Sequence, residues 1–100
     1  MRLGQVIGKV TLSHADPALR GLRLVLVQPL SRAQFAGAPL SPLAPGATQV
    51  VCDELGAECG QIIGFTEGAE AAAPFSRPTP VDAYDALVVE RVTYSPPSIP

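Results

Sequence analysis

The sequence predicts an all-β protein, a small five-stranded barrel of the OB-like type with one short helix, and three observations carry that expectation. Apolar residues recur at period two in about five short runs. Clusters of glycine and proline separate the runs, and only residues 66–74 combine the alanine content and capping residues of a helical turn. The chain of 100 residues is long enough for one domain with its own core. Residues 1–94 read as the barrel domain, and 95–100 as a proline-rich C-terminal tail that cannot extend a ladder.

In chain order, the first strand is expected over residues 3–12, with Val6, Val10 and Leu12 on one face and Gly4 and Gly8 on that same face. Glycine inside a strand marks a bend, a bulge or close approach of another backbone, which suits a strongly coiled barrel. Ser13, His14, Ala15 and Asp16 then form a connection, since Pro17 disfavours helix at Asp16. The second strand, residues 22–28, sends Leu22, Leu24 and Leu26 one way and Arg23, Val25 and Val27 the other, so both faces should make contacts. Pro29 should stop it. Residues 31–46 lack periodicity and read as a long loop, with an irregular hairpin around Gln34 and Phe35.

A third strand is expected over residues 47–51 and leads into Cys52-Asp53-Glu54-Leu55-Gly56-Ala57-Glu58-Cys59-Gly60, a turn rich in small residues and carboxylates. Ile62, Ile63 and Phe65 leave it as the fourth strand. The helical turn of 66–74 ends at Pro74, and residues 75–80 form a proline-stiffened link. The last strand, residues 83–94, should carry Leu87 and Val89 on one side and Val88 and Val92 on the other.

Composition narrows the function. Hydrophobic residues make up 47% and charged residues 16%, with a net charge of −2, and so little charge suits a chain that hides surface by self-association. The seven Lys and Arg residues are scattered, giving no basic patch for nucleic acid. No apolar run approaches the roughly twenty residues of a membrane span, and Met1-Arg2-Leu3-Gly4 runs directly into a strand pattern with no signal core. A cytoplasmic protein is expected, with Cys52 and Cys59 as reduced thiols.

No catalytic set emerges. His14 is the only histidine, and Cys52 and Cys59 lack the C-x-x-C spacing of a zinc site, so neither metal nor cofactor is expected. Ser13, His14 and Asp16 are neighbours in one loop and cannot adopt a nucleophile-base-orienter geometry. Asp82 and Asp85 fall on opposite faces of a strand, which argues against a carboxylate dyad there. There is no phosphate-binding glycine loop and no G-x-S-x-G elbow. The chain does not read as an enzyme.

With these residues in view, the chain resembles the pentameric vertex proteins of bacterial microcompartment shells, the carboxysome and ethanolamine-utilisation vertex family. The resemblance covers Met1 to about Tyr94. Met1-Arg2-Leu3-Gly4-Gln5-Val6-Ile7-Gly8-Lys9-Val10 is similar to the family's opening M-(K/R)-L-(A/G)-x-V-x-G-x-V, and residues 19–28 to its L-x-G-x-K-L-L-L-V-Q strand. Asp53-Glu54-Leu55-Gly56-Ala57 matches its D-x-(V/I)-G-A-G turn, Gly68 and Ala72 sit at its G-S-A-A-R turn, and Pro80-Val81-Asp82-Ala83 matches P-(L/V)-D-A. Glu58 stands where the second glycine of G-A-G belongs, Gln61-Ile62 replaces a Glu-Trp pair, and Val89-Glu90-Arg91-Val92 is more polar than the family's ending.

The resemblance implies a barrel that assembles as a cyclic homopentamer, caps the five-fold vertices of a microcompartment shell, and contacts hexameric and trimeric shell proteins. It also implies that Gly56, Ala57, Glu58, Cys59 and Gly60 line the five-fold axis. Five copies of Glu58 would then either point along the axis or turn sideways to a donor such as Arg20, Arg23 or Arg77. Clustered like charges cost stability, which favours the sideways placement. Two other classes fit the residues alone: a monomeric OB-like ligand-binding module, or an accessory subunit of an enzyme complex. The first would show clustered aromatics, whereas the three Phe and two Tyr here are dispersed and Trp is absent.

Overall fold

In the computed structural model, residues 1–37, 48–76 and 79–95 are described. The five expected strands form as β1 (Arg2–Val10), β2 (Arg23–Pro29), β3 (Gln49–Asp53), β4 (Ile62–Glu67) and β5 (Ala83–Val89). They close into a barrel in the order β1-β2-β3-β5-β4. Antiparallel ladders join β1 to β2 and β4, β2 to β3, and β4 to β5. The ring is completed by a parallel contact of β3 with β5 whose register consists of one pair, Cys52 with Tyr84.

Inward-facing β-branched residues fill the barrel because their stiff side chains pack well on a pleated surface. Val6, Val25, Val27, Val51, Ile63 and Phe65 are buried together with Ala57 and Ala83. Each large side chain withdrawn this completely contributes about 1.5–3 kcal/mol of transfer free energy. At Gly4 the wall closes in: a Cβ there would fall inside van der Waals contact with Val27 Cγ1 and sit 3.0 Å from the Gln28 carbonyl oxygen and 3.1 Å from Phe65 Cε1. The close backbone approach expected of a strand glycine is realised at this position.

Several boundaries differ from expectation, each for a local reason. The β1–β2 register shifts between Val6 and Gly8, so β1 carries a bulge and ends at Val10 rather than Leu12. Val6 is therefore buried while Gly8 and Val10 are only half-buried, and the single shared face is broken. β2 runs through Pro29, which pairs with Gly4 at the end of the ladder. β3 extends two residues beyond Val51 and takes Cys52 and Asp53 out of the turn.

The expected hairpin around Gln34 and Phe35 is instead one helical turn, α1 (Arg32–Phe35). The Ser31 N–H donates to Gln34 Oε1 at 2.7 Å, as in a capping box. The rest of that loop, 38–47, lies outside the described residues. The helical turn before the last strand is present as a 3-10 turn, Gly68–Ala72. β5 stops at Val89, well short of Tyr94, and the β4–β5 register shifts between Gly64 and Phe65. That irregularity breaks the expected alternation: Ala83 and Asp85 are buried, while Leu87 and Val88 are both more than a third exposed. Tail residues 96–100 and Arg77 fall outside the described residues.

Candidate functional site

The turn after β3 is built around one buried carboxylate. Asp53 is 2% exposed. Its Oδ1 accepts from the Leu55 N–H at 2.9 Å and the Gly56 N–H at 3.1 Å, and its Oδ2 from the Ala57 N–H at 2.9 Å. Three successive amides thus curl over one side chain, a conformation that needs a left-handed residue, and Gly56 supplies it with φ +77°. Arg23, reaching across from β2, places Nε 2.7 Å from Asp53 Oδ2. The contact is an ion pair rather than an aligned hydrogen bond, and Arg23 Nη2 donates to the Ala57 carbonyl. Burial alone would raise the Asp53 pKa, but the adjacent Asp85 carboxyl, the Leu55 and Ala57 amides and the Arg23 charge together lower it.

The second half of the turn is pinned to β1. The Gly60 N–H donates to the Val6 carbonyl at 2.8 Å, and the Val6 N–H to Gln61 O at 2.9 Å. Gln61 Oε1 accepts the Glu58 N–H at 2.8 Å. The Glu58 carboxylate lies between Arg23 Nη2 at 3.8 Å and Lys9 Nζ at 3.9 Å. Of the five residues expected at an axis, Ala57 is buried in the core, whereas Gly56, Glu58, Cys59 and Gly60 are exposed. Arg23, one of the three arginines named as partners for Glu58, lies within reach, while Arg77 is outside the described residues.

A third cluster ties the turn to β5. Asp85, 1% exposed, accepts the Glu54 N–H on Oδ1 at 3.2 Å. Tyr84 donates its hydroxyl to Glu54 Oε2 at 2.6 Å, and that bond, with burial, pushes the Tyr84 pKa up to about 12. The Tyr84 ring packs edge-on against Phe75 with centroids 5.6 Å apart. Burial and the surrounding carboxylates push the Cys52 thiol up to about 11, so it is a poor nucleophile. Cys59, by contrast, is exposed, and neither cysteine is in a disulfide.

The sequence marked Asp53 and the glycines of this turn but missed Asp85, which pairs with Asp53 rather than with Asp82. The signal was present: Ala83 and Asp85 share an inward face at period two. The loop near His14 holds a polar turn. Ser13 Oγ and His14 Nδ1 lie 3.3 Å apart, while Asp16 accepts the Ala18 N–H at 2.9 Å to cap the 3-10 turn Pro17–Leu19. Among the described residues no group of three or more His, Cys, Asp or Glu could hold a metal ion. No described helix is long and apolar enough to cross a membrane.

The backbone of the turn is thus held by Asp53, Asp85 and Gln61, and the fold is a small closed barrel carrying a glycine-shaped turn. Residues 1–89 match the model of the family described as ethanolamine utilisation protein EutN/carboxysome, and the chain belongs to that family. Among solved structures it is similar to the GrpN pentameric microcompartment shell protein from Rhodospirillum rubrum. That match has 31% identity and a TM-score of 0.74, and it covers 96% of this chain and 100% of the other. It is also similar to CcmL of Gloeobacter violaceus, at 29% identity and a TM-score of 0.74, over 94% of this chain and 90% of the other. A comparison with curated proteins finds no match.

Proposed function

We infer that this chain is a structural shell subunit that assembles as a closed ring of five and caps the five-fold vertices of a bacterial microcompartment in the cytoplasm. The observation that carries this reading is the end-to-end match in fold and sequence to a pentameric microcompartment shell protein. Physical argument supports it. A flat hexagonal sheet closes into a polyhedron only when pentagons are inserted, and a heterologous interface whose rotation closes makes a ring. Hexameric and trimeric shell proteins are the neighbours such a ring would meet. A building block needs a rigid frame and no reaction centre, and the chain is proposed to have no enzymatic activity.

In this reading the turn carrying Gly56, Ala57, Glu58, Cys59 and Gly60 faces the five-fold axis. The exposure of Gly56, Glu58, Cys59 and Gly60 above a buried Ala57, and their mostly small size, support that placement, because five copies must crowd around one line. Native mass spectrometry at micromolar protomer concentration is expected to find a homopentamer. A stable monomer would overturn the reading and favour a ligand-binding module.

A further inference from the structure

One buried atom near the turn has no role in the contacts described so far. Asp85 Oδ2 is buried without a hydrogen-bond partner among the described residues. Beside it lies another carboxylate, Asp53, itself almost fully buried: the two residues each follow a member of the parallel Cys52–Tyr84 pair. Two bare carboxylates offer each other no proton and repel, and burial removes the water that would screen them. The nearby cation, Arg23, is engaged by Asp53, the Ala57 carbonyl and Glu58. The other groups facing Asp85 bring no positive charge: Cys52 from β3, Glu54 from the turn, Tyr84 from its own strand, and Phe65 as its partner on β4.

The location adds weight. β3 and β5 share one backbone register pair, so the seam that closes the barrel is held largely by side chains. These are the Asp85–Glu54 bond, the Tyr84–Glu54 bond and the contact of Asp85 with Asp53.

We propose that Asp53 and Asp85 hold a single proton between them, carried on Asp85 and donated to the Asp53 carboxylate, and that this proton latches the seam between β3 and β5. Burial, together with the neighbouring Asp53, pushes Asp85 up to about 7, while Asp53 is lowered. The two carboxyls titrate as a pair. Raising the pH sends the proton to water and leaves two buried charges facing each other. An unfolded Asp titrates near 3.9. Between that value and about 7 the folded chain therefore binds the additional proton, and its stability falls as pH rises. Above that window the loss is complete and the dependence levels off.

The latch lies within one chain, so it can fail without affecting the pentamer reading, and the reverse. The test is a pH titration of wild-type protein labelled with 13C at the Asp carboxyls, alongside Asp85→Asn, which keeps the shape and a donor but cannot ionise. The expected result is one Asp resonance titrating near neutrality and missing from the variant. The urea midpoint of the wild type should fall from pH 5 to pH 8, with that slope flattened in Asp85→Asn. The Glu54 amide should also exchange faster on alkalinisation than an exposed amide of the same chain sets by hydroxide catalysis. The proposal is overturned if every Asp carboxyl titrates below about 5, or if Asp85→Asn keeps the wild-type slope. If Asp85→Asn does not fold, the wild-type resonances alone decide.

Discussion

Gly4→Ala and Gly8→Ala make the same change on the same strand, and the structure predicts different outcomes. At Gly4 the new methyl meets Val27 Cγ1, the Gln28 carbonyl oxygen and Phe65 Cε1, the latter two at 3.0 and 3.1 Å. None of the three can yield easily. Val27 and Phe65 are 0% exposed, and the carbonyl belongs to β2. Val27 is also stiff at χ1. Overpacking of this kind costs about 1–3 kcal/mol, and the immobile neighbours place Gly4→Ala at the upper end. The reduced freedom of the unfolded chain returns about 0.4–1 kcal/mol, leaving a net loss of about 2 kcal/mol.

At Gly8 the nearest atom to a new Cβ is Leu26 Cδ1 at 3.4 Å, an ordinary contact at a half-buried site. Gly8→Ala should therefore be neutral or up to about 1 kcal/mol more stable than wild type. For a domain of this size each kcal/mol moves Tm by about 4–8 °C, so Gly4→Ala should melt about 8–16 °C lower. Thermal and urea unfolding should be compared at one protomer concentration, since assembly makes Tm concentration-dependent. A Gly4→Ala variant within about 0.5 kcal/mol of wild type, or a Gly8→Ala loss of equal size, refutes the reasoning.

Two further outcomes follow from the turn. Asp53→Asn leaves Arg23 facing a neutral amide and removes an acceptor from the Ala57 N–H, and should cost about 3 kcal/mol by urea unfolding at pH 7. Because the Asp53 pKa is lowered in the folded chain, wild-type stability contributed by this group is lost as pH falls below the unfolded Asp value, and the variant should lack that loss. Glu58→Gln should cost under about 1 kcal/mol, since the side chain is 66% exposed and its cations sit at 3.8 and 3.9 Å. A Glu58→Gln assembly more stable than wild type at neutral pH would mean that the carboxylates repel one another along an axis.

The barrel was legible because its strands are short runs of Val, Ile and Leu bounded by Gly and Pro, and that pattern survives small errors of register. The bulges were legible only in part. The β1 shift falls at Gly8, one of the strand glycines that can mark a bulge, but the glycine alone did not say which of bend, bulge or close approach it would be, and nothing local marks Ala86, the residue skipped in the β4–β5 register. The site was half legible. Asp53 followed by Gly56 and Ala57 is a local signal, because a short acidic side chain bonds the amides just beyond it. Arg23 and Asp85 reach it from 30 or more positions away. Arg23 meets Asp53 as its register partner in the antiparallel β2–β3 ladder, whereas Asp85 arrives only where β5 closes the barrel against β3, and neither pairing is written in the local spacing.

Asp53, Asp85, Gln61 and Arg23 tie the Asp53–Gly60 turn to its own barrel. A loop tied in this way is ordered before any neighbour arrives, so closure of the proposed ring need not supply the entropy of ordering it. In the proposed ring the subunits then dock as preformed wedges. Such wedges tolerate little error in their angle. A substitution that tilts the turn by a few degrees would accumulate around the circle and be rejected at the last subunit, which makes the fidelity of a five-membered ring a property written into the single barrel.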